Sequence, residues 1–269
     1  MAVVTFLSDY GLGDDFVGVC HGVIARIAPD VRVIDVAHGI ARHDVREGAI
    51  VLRRALPFMP AGVHLAVVDP GVGSERRAVA LRCADEGRVL VGPDNGLLWL
   101  AAERFGGVAE AADIGASALR LDPVSATFGG RDVFAPVAAH LAGGAVTLAQ
   151  AGAPLDPAQL VVLDLPRAQP TSDGGLLAHA LLADGYGNVV LDAQHADLAA
   201  SALRCGEPVT VNGRPARFGR TFADVGAGEL LLYWDGYGAL SLAVNGGSAQ
   251  ATLGLRRDDA VQLTPGAAS

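Results

Sequence analysis

Val67-Val68-Asp69-Pro70-Gly71-Val72-Gly73-Ser74-Glu75-Arg76-Arg77 decides how this chain is read. An apolar run, Val63 to Val68, stops at Asp69 and gives way to Pro70, Gly71 and Gly73. Such a run bounded by turn residues predicts a buried strand that delivers a carboxylate at its C-terminal end. In open α/β sheets that end is where ligands bind. Arg76 and Arg77 follow the turn closely enough for a guanidinium to fold back toward Asp69. The plainer alternative is an Asp that caps its own turn backbone.

Outward from this stretch, strand-like and helix-like segments alternate through the first 165 residues. Strands are expected at Val3 to Leu7, Val31 to Val36, Val63 to Val68, Val79 to Arg82 and Val89 to Val91. Helices are expected at Phe16 to Ile27, Arg46 to Leu56, Leu97 to Phe105 and Val133 to Leu141. This alternation predicts an α/β domain over 1–165 with a mainly parallel sheet covered on both faces. Residues 166–175 are rich in Pro, Ser, Gly and Asp and read as a linker. Short β-rich pieces follow: Leu176 to Leu182, Val189 to Leu191, Pro208 to Val211, Glu229 to Tyr233, Ala239 to Val244 and Ala260 to Leu263. They predict a smaller antiparallel β-barrel domain over 176–269.

With 269 residues, 51% of them hydrophobic and 18% charged, the chain has ample length for two cores. Its formal net charge of -9 argues against nucleic acid, which requires a basic patch. Cys20, Cys83 and Cys205 are odd in number and widely spaced, which fits a reducing cytoplasm. No signal peptide is read at the N-terminus, where Ser8 and Asp9 break the apolar stretch. No apolar run approaches the ~20 residues that span a bilayer, so no membrane is expected.

Polar islands interrupt the apolar segments: Ser8-Asp9-Tyr10-Gly11, Asp69 to Gly73, Gly92-Pro93-Asp94-Asn95-Gly96, Thr127-Phe128-Gly129-Gly130-Arg131-Asp132, Asp184-Gly185-Tyr186-Gly187-Asn188 and Asn245-Gly246-Gly247-Ser248-Ala249. Each alone reads as a turn. Together, in this order, they resemble the S-adenosylmethionine (SAM) hydrolases, or SAM hydroxide adenosyltransferases, relatives of the SAM-dependent fluorinases and chlorinases. The resemblance runs from Ser8 nearly to the end of the chain. It implies an N-terminal α/β domain, a C-terminal β-barrel and a homotrimer whose sites lie between the N-domain of one subunit and the C-domain of the next.

The same resemblance implies roles for individual residues. Asp9 would grip the ribose hydroxyls, Asp184 the methionine amino group and Asn188 the adenine edge, with Tyr186 stacked on the base. Phe128, Gly130 and Asn245 would complete substrate binding. Asp69 and Arg76 match two members of a hydrolytic Asp-Arg-His set. The third position, where the family has a His, is Gly129 in this chain. None of His21, His38, His43, His64, His140, His179 and His195 obviously replaces it. The halogenating relatives carry Tyr where Asp69 stands, so hydrolysis to adenosine and methionine is the reaction implied. A SAM- or adenosine-binding protein with little turnover and a SAM-dependent halogenase are the alternatives. No metal-ligand cluster, P-loop or GxSxG elbow is read, so neither metal nor cofactor is expected.

Overall fold

The structure, a computed structural model, describes residues 2–266. Residue 1 and residues 267–269, the outer ends of the two expected domains, lie outside the described residues. The chain divides into two compact units, Met1–Leu163 and Asp164–Ser269.

The first unit holds seven strands: β1 Val3–Ser8, β2 Arg32–Ala37, β3 Val63–Val67, β4 Ala78–Cys83, β5 Val89–Pro93, β6 Val108–Asp113 and β7 Ala153–Leu155. They form one sheet in the order β2-β1-β3-β5-β4-β6-β7. The neighbours β2, β1, β3 and β5 are parallel, as the βα alternation predicts. The far half is antiparallel, making the sheet mixed. The reason is local: Glu86 and Gly87 both take positive φ, and a turn of that hand folds β4 directly back into β5. The alternating face of β1 explains the two layers around the sheet. Val4 and Phe6 join a core with Val17, Cys20 and Ile24 of α1 (Phe16–Ile27) and Val137 and Ala138 of α4 (Ala135–Ala142). On the other face lies α2 (Val45–Ala55), capped by the Asp44 carboxylate accepting from the Glu47 amide at 2.9 Å. Here α2 packs against α3 (Trp99–Arg104).

Two features of this unit position the site. From β1 the chain crosses through α1 to β2 on one side, while β3 lies on the other, so the strand order reverses at β1. The carboxyl ends of β1 and β3 therefore flank the switch point where open α/β sheets bind ligands. The expected helix at Val133 also begins earlier than the spacing suggests. A turn of π-helix, Gly130–Phe134, precedes α4 and sets the Gly129–Asp132 segment against the ends of those strands. Such π-turns recur at functional sites.

The second unit is a closed barrel. Its strands are β8 Gln169–Pro170, β9 Leu176–Ala183, β10 Val189–Leu191, β11 Pro208–Val211, β12 Arg214–Phe218, β13 Leu230–Trp234, β14 Leu240–Val244 and β15 Ala260–Pro265. The order β10-β14-β13-β12-β11-β15-β9 closes on itself through β10–β9, and β8 is appended to β9. Part of the segment read as a linker is thus a sheet edge. The pairings are antiparallel except β12 with β13. Alternation fills the interior: Leu230 and Leu232 point into the main core, Leu231 and Tyr233 into a separate small cluster. No helix among the described residues is long and apolar enough to cross a membrane.

Candidate active site

The carboxyl ends of β1 and β3, with the segment before α4, enclose an open cavity of about 490 Å³. This lies within the ~300–1,000 Å³ typical of small-molecule sites. Asp9 and Tyr10 enter it from the end of β1, Asp69 and Val72 from the loop after β3, and Thr127 to Gly130 from the segment before the π-turn. Asp14, Phe16, Arg42, His43 and Val67 complete the wall.

The loop after β3 folds as a series of turns. The Val72 amide donates to the Asp69 carbonyl (3.3 Å), the Ser74 amide to the Gly71 carbonyl (3.1 Å), and the Arg76 amide to Ser74 Oγ (3.2 Å). These turns return Arg76 to Asp69. Arg76 Nε donates to Asp69 Oδ1 at 3.0 Å and Nη2 donates to Oδ2, a bidentate fork. The third donor, Nη1, is held by the Arg77 carbonyl at 2.6 Å, and the guanidinium lies over the Phe134 ring at 5.4 Å. Both partners are nearly buried, their side chains 7% and 15% exposed. Asp69 lines the cavity, and Arg76 stands behind it, outside the lining. Arg77 is separate: its Nε donates to Asp94 Oδ2 at 2.9 Å. The two arginines that follow the turn therefore have different partners. The island Gly92 to Gly96 is a brace, since Asn95 Nδ2 donates to the Val68 carbonyl at 2.9 Å just before Asp69.

Asp9 is held from across the cavity mouth. The His43 amide donates to its Oδ2 at 2.8 Å, with His43 at φ 65. A non-glycine residue in the left-handed region costs energy, and such strain tends to gather at functional sites. Arg42 and His43 line the cavity although sequence did not point to them there, and nothing in Ala41-Arg42-His43-Asp44 announces the positive φ of His43. Tyr10, Phe16 and Phe128 form an aromatic cluster with centroids 5.2–5.9 Å apart. Burial, with Cys20, Asp9 and Asp69 nearby, raises the Tyr10 phenol far above its ordinary range, so it stays protonated. A Cβ at Gly130 would meet the Tyr10 hydroxyl at 2.1 Å, so any larger residue there must push the Tyr10 side chain aside. Gly129 differs: it has helical φ -57 and ψ -29, and a Cβ there meets only the Phe134 ring at 3.5 Å and beyond.

Of the residues singled out from sequence, Asp9, Asp69, Phe128, Gly129 and Gly130 meet at this cavity. Asp184, Tyr186, Asn188 and Asn245 belong to the second unit. Asp184 organises the turn between β9 and β10, accepting from the Tyr186 amide (2.9 Å), the Asn188 amide (3.0 Å) and Asn188 Nδ2 (2.9 Å). Tyr186 at the tip of this turn is 84% exposed. Asn245 Nδ2 donates to the Val225 carbonyl at 2.9 Å.

Comparisons with known proteins converge. The family profile for the SAM hydroxide adenosyltransferase N-terminal domain matches residues 4–152, and that for the C-terminal domain matches residues 178–262. A protein of Salinispora tropica named (R)-S-adenosyl-L-methionine hydrolase is 48% identical over 267 residues, 98% of each chain. A protein of Nocardia brasiliensis named fluorinase is 27% identical across 98% of this chain and 97% of its own. The crystal structure of an uncharacterized conserved protein from Thermotoga maritima superposes with a TM-score of 0.88 at 34% identity, covering 97% of this chain and 99% of that one.

Proposed function

The chain belongs to the SAM hydroxide adenosyltransferase family and is an enzyme that hydrolyses SAM to adenosine; from that premise we propose how its site does so. The observation that carries the scheme is Asp69, locked by Arg76 on the wall of a cavity that Asp9 also enters.

SAM carries a sulfonium whose leaving group is a neutral thioether, methionine, so departure requires no general acid. The difficulty is the nucleophile, because water is weak and must approach C5′ in line with the sulfur. Positioning supplies most of the effect, up to ~7–11 kcal/mol for well-oriented reactants. Asp69 accepts a hydrogen bond from the water and draws off its proton as the new C–O bond forms, a role worth ~10²–10⁴-fold. Arg76 occupies one lone pair on each Asp69 oxygen and leaves the others for the water. It therefore acts through Asp69, as a positioning residue. Asp9, its Oδ2 fixed by the His43 amide, accepts from the two vicinal ribose hydroxyls. No step of this scheme uses a cofactor or a metal.

Gly129 bears on the rate. With no side chain beside the water, hydrolysis is slow relative to a site carrying an imidazole there, and SAM binding with little turnover is the second reading. Halogenation is disfavoured by the negative charge that Asp69 presents to a halide. Substrate binding is completed by Asp184, Tyr186, Asn188 and Asn245 of a neighbouring subunit in a homotrimer. The exposure of Phe16 and Val72 on the cavity wall (41% and 40%) and of Tyr186 supports a covering surface. Free thiols at Cys20, Cys83 and Cys205 support a reducing cytoplasm.

Incubation with SAM, followed by chromatography with and without chloride, tests the reading. Adenosine and methionine as the products support it. S-adenosylhomocysteine or 5′-chloro-5′-deoxyadenosine as the main product overturns it. Light scattering reads the oligomer, and a fully active monomer contradicts the shared site.

A further inference from the structure

Behind the cavity, on the α1 face of the sheet, three ligating side chains converge. Asp35 and His38 are three residues apart, a spacing that sends side chains to opposite faces of a regular strand. The register of β1 against β2 slips between Phe6, opposite Asp35, and Leu7, opposite Ala37. Val36 is therefore an extra residue, and this bulge re-aims the chain so that both side chains face α1. There they meet His21. His21 Nε2 lies 2.8 Å and His38 Nε2 2.9 Å from the same oxygen, Asp35 Oδ1. The three ligand atoms all lie within 4.8 Å of one another, the one such His/Cys/Asp/Glu group among the described residues.

The surroundings are those of a built site. The His38 imidazole is 2% exposed, and its other nitrogen, Nδ1, is bonded to Ser8 Oγ at 2.7 Å. Metal-binding imidazoles characteristically have the second ring nitrogen held in this way, which fixes the ring and its tautomer. Ser8 Oγ can accept a hydrogen bond from Nδ1–H or donate one to bare Nδ1, so the Nδ1–H tautomer, with an Nε2 lone pair free for a metal, keeps its partner. The Phe6 ring forms an apolar floor, 4.7 Å from the His38 ring centroid and 6.2 Å from that of His21. Asp35 and His21 are 44% and 34% exposed, which leaves an open side for water.

We propose that His21, Asp35 and His38 bind one borderline divalent transition-metal ion of the Zn²⁺ class, in a site separate from the cavity. Two imidazoles and one carboxylate select such an ion over Mg²⁺ or Ca²⁺, which favour all-oxygen ligands. Tetrahedral Zn²⁺ with ligands at ~2.0–2.2 Å separates neighbouring ligand atoms by ~3.3 Å, so the half-exposed Asp35 must withdraw by a few tenths of an ångström. The ion links α1 to β2. Through His38 it also steadies the loop carrying Asp9, since the His38 carbonyl accepts from the Gly11 amide at 2.7 Å.

The test is calorimetric titration of chelator-treated, dialysed protein with ZnCl₂, alongside CoCl₂ read by its visible ligand-field bands. One ion per chain is expected, with imidazole-type cobalt bands and no response to MgCl₂. Outer-shell partners alone are worth ~10–100-fold in affinity, so His21→Ala and Asp35→Asn, each checked for folding by circular dichroism, should weaken Zn²⁺ by ~100-fold or more. No Zn²⁺ binding by the wild type, or binding unchanged in a folded His21→Ala protein, overturns the proposal and leaves the cluster a hydrogen-bonded bridge.

Discussion

Arg76 grips Asp69 through both carboxylate oxygens while its remaining amino group is tied to the Arg77 carbonyl. The guanidinium is thereby fixed in orientation, and the face of Asp69 that looks into the cavity is fixed with it. The hydrolytic scheme depends on that rigidity. Asp69→Asn keeps the shape and removes the charge, so kcat should fall by ~10²–10⁴-fold while KM changes only a few-fold. Arg76→Lys should recover part of the loss seen in Arg76→Ala, because an ammonium restores charge but not the fork. Steady-state kinetics of the three variants check this. Unchanged kcat in Asp69→Asn would remove Asp69 from the reaction.

Asp9 is assigned to binding, so its variants should separate from those of Asp69. Asp9→Ala removes acceptors for two hydroxyls, each worth ~0.5–1.5 kcal/mol or more when made to a charged group. SAM affinity should drop by ~10–100-fold in calorimetry. A 2′,3′-dideoxy analogue should bind wild type and variant about equally, and retained discrimination by the variant would place the ribose elsewhere.

Gly129 and Gly130 are neighbours with opposite tolerance. At Gly129 the backbone is helical and a Cβ meets only ordinary contact distance, so Gly129→His should fold and raise kcat by ~10²-fold. At Gly130 a Cβ would sit 2.1 Å from the Tyr10 hydroxyl, so Gly130→Ala must displace the ring and should cost ~1–3 kcal/mol. Thermal melts and kinetics of the two proteins make the comparison. A Gly129→His protein no faster than wild type would show the imidazole to be dispensable here.

His64 gives the first unit a pH dependence. Its Nδ1 bonds Thr5 Oγ1 at 2.8 Å, and Arg88 Nη1 lies 3.2 Å from Nε2. Burial, then the adjacent Arg88 charge, lowers its pKa from 6.5 to about 3. The unfolded chain binds a proton below pH 6.5 that the folded chain refuses, so stability is full above that value and falls as pH drops toward 3. Between pH 7.5 and 5 the loss should be about 2 kcal/mol. Urea unfolding of wild type and His64→Asn at both pH values reads it, and an equal loss in the two proteins would assign the slope to other groups.

Much of this was legible in the sequence, and the gaps have physical causes. Runs such as Val63 to Val67 and the apolar spacing of Phe16–Ile27 mark their elements because burial dictates both pattern and length. Strand β6, Val-Ala-Glu-Ala-Ala-Asp, gave no such signal, since Ala and acidic residues suit a helix as well as a partly exposed strand. Asp9, Asp69 and the Phe128–Gly130 segment each end a strand or precede a helix, a placement that alone reads as a turn, and it was the resemblance of all the islands together that singled them out. His43 was not legible, because its contribution is a backbone amide placed by a positive φ. The meeting of His21, Asp35 and His38 was hidden for a similar reason, as it depends on a one-residue bulge that no spacing rule reports.

Isotope transfer from solvent is the most direct measure of the central claim, that water held by Asp69 attacks C5′ of SAM. The reaction is run in H₂¹⁸O and the adenosine is analysed by mass spectrometry. Adenosine carrying one ¹⁸O at its 5′-hydroxyl and methionine carrying none is the expected result. Adenosine free of label, or label recovered in methionine, would contradict it.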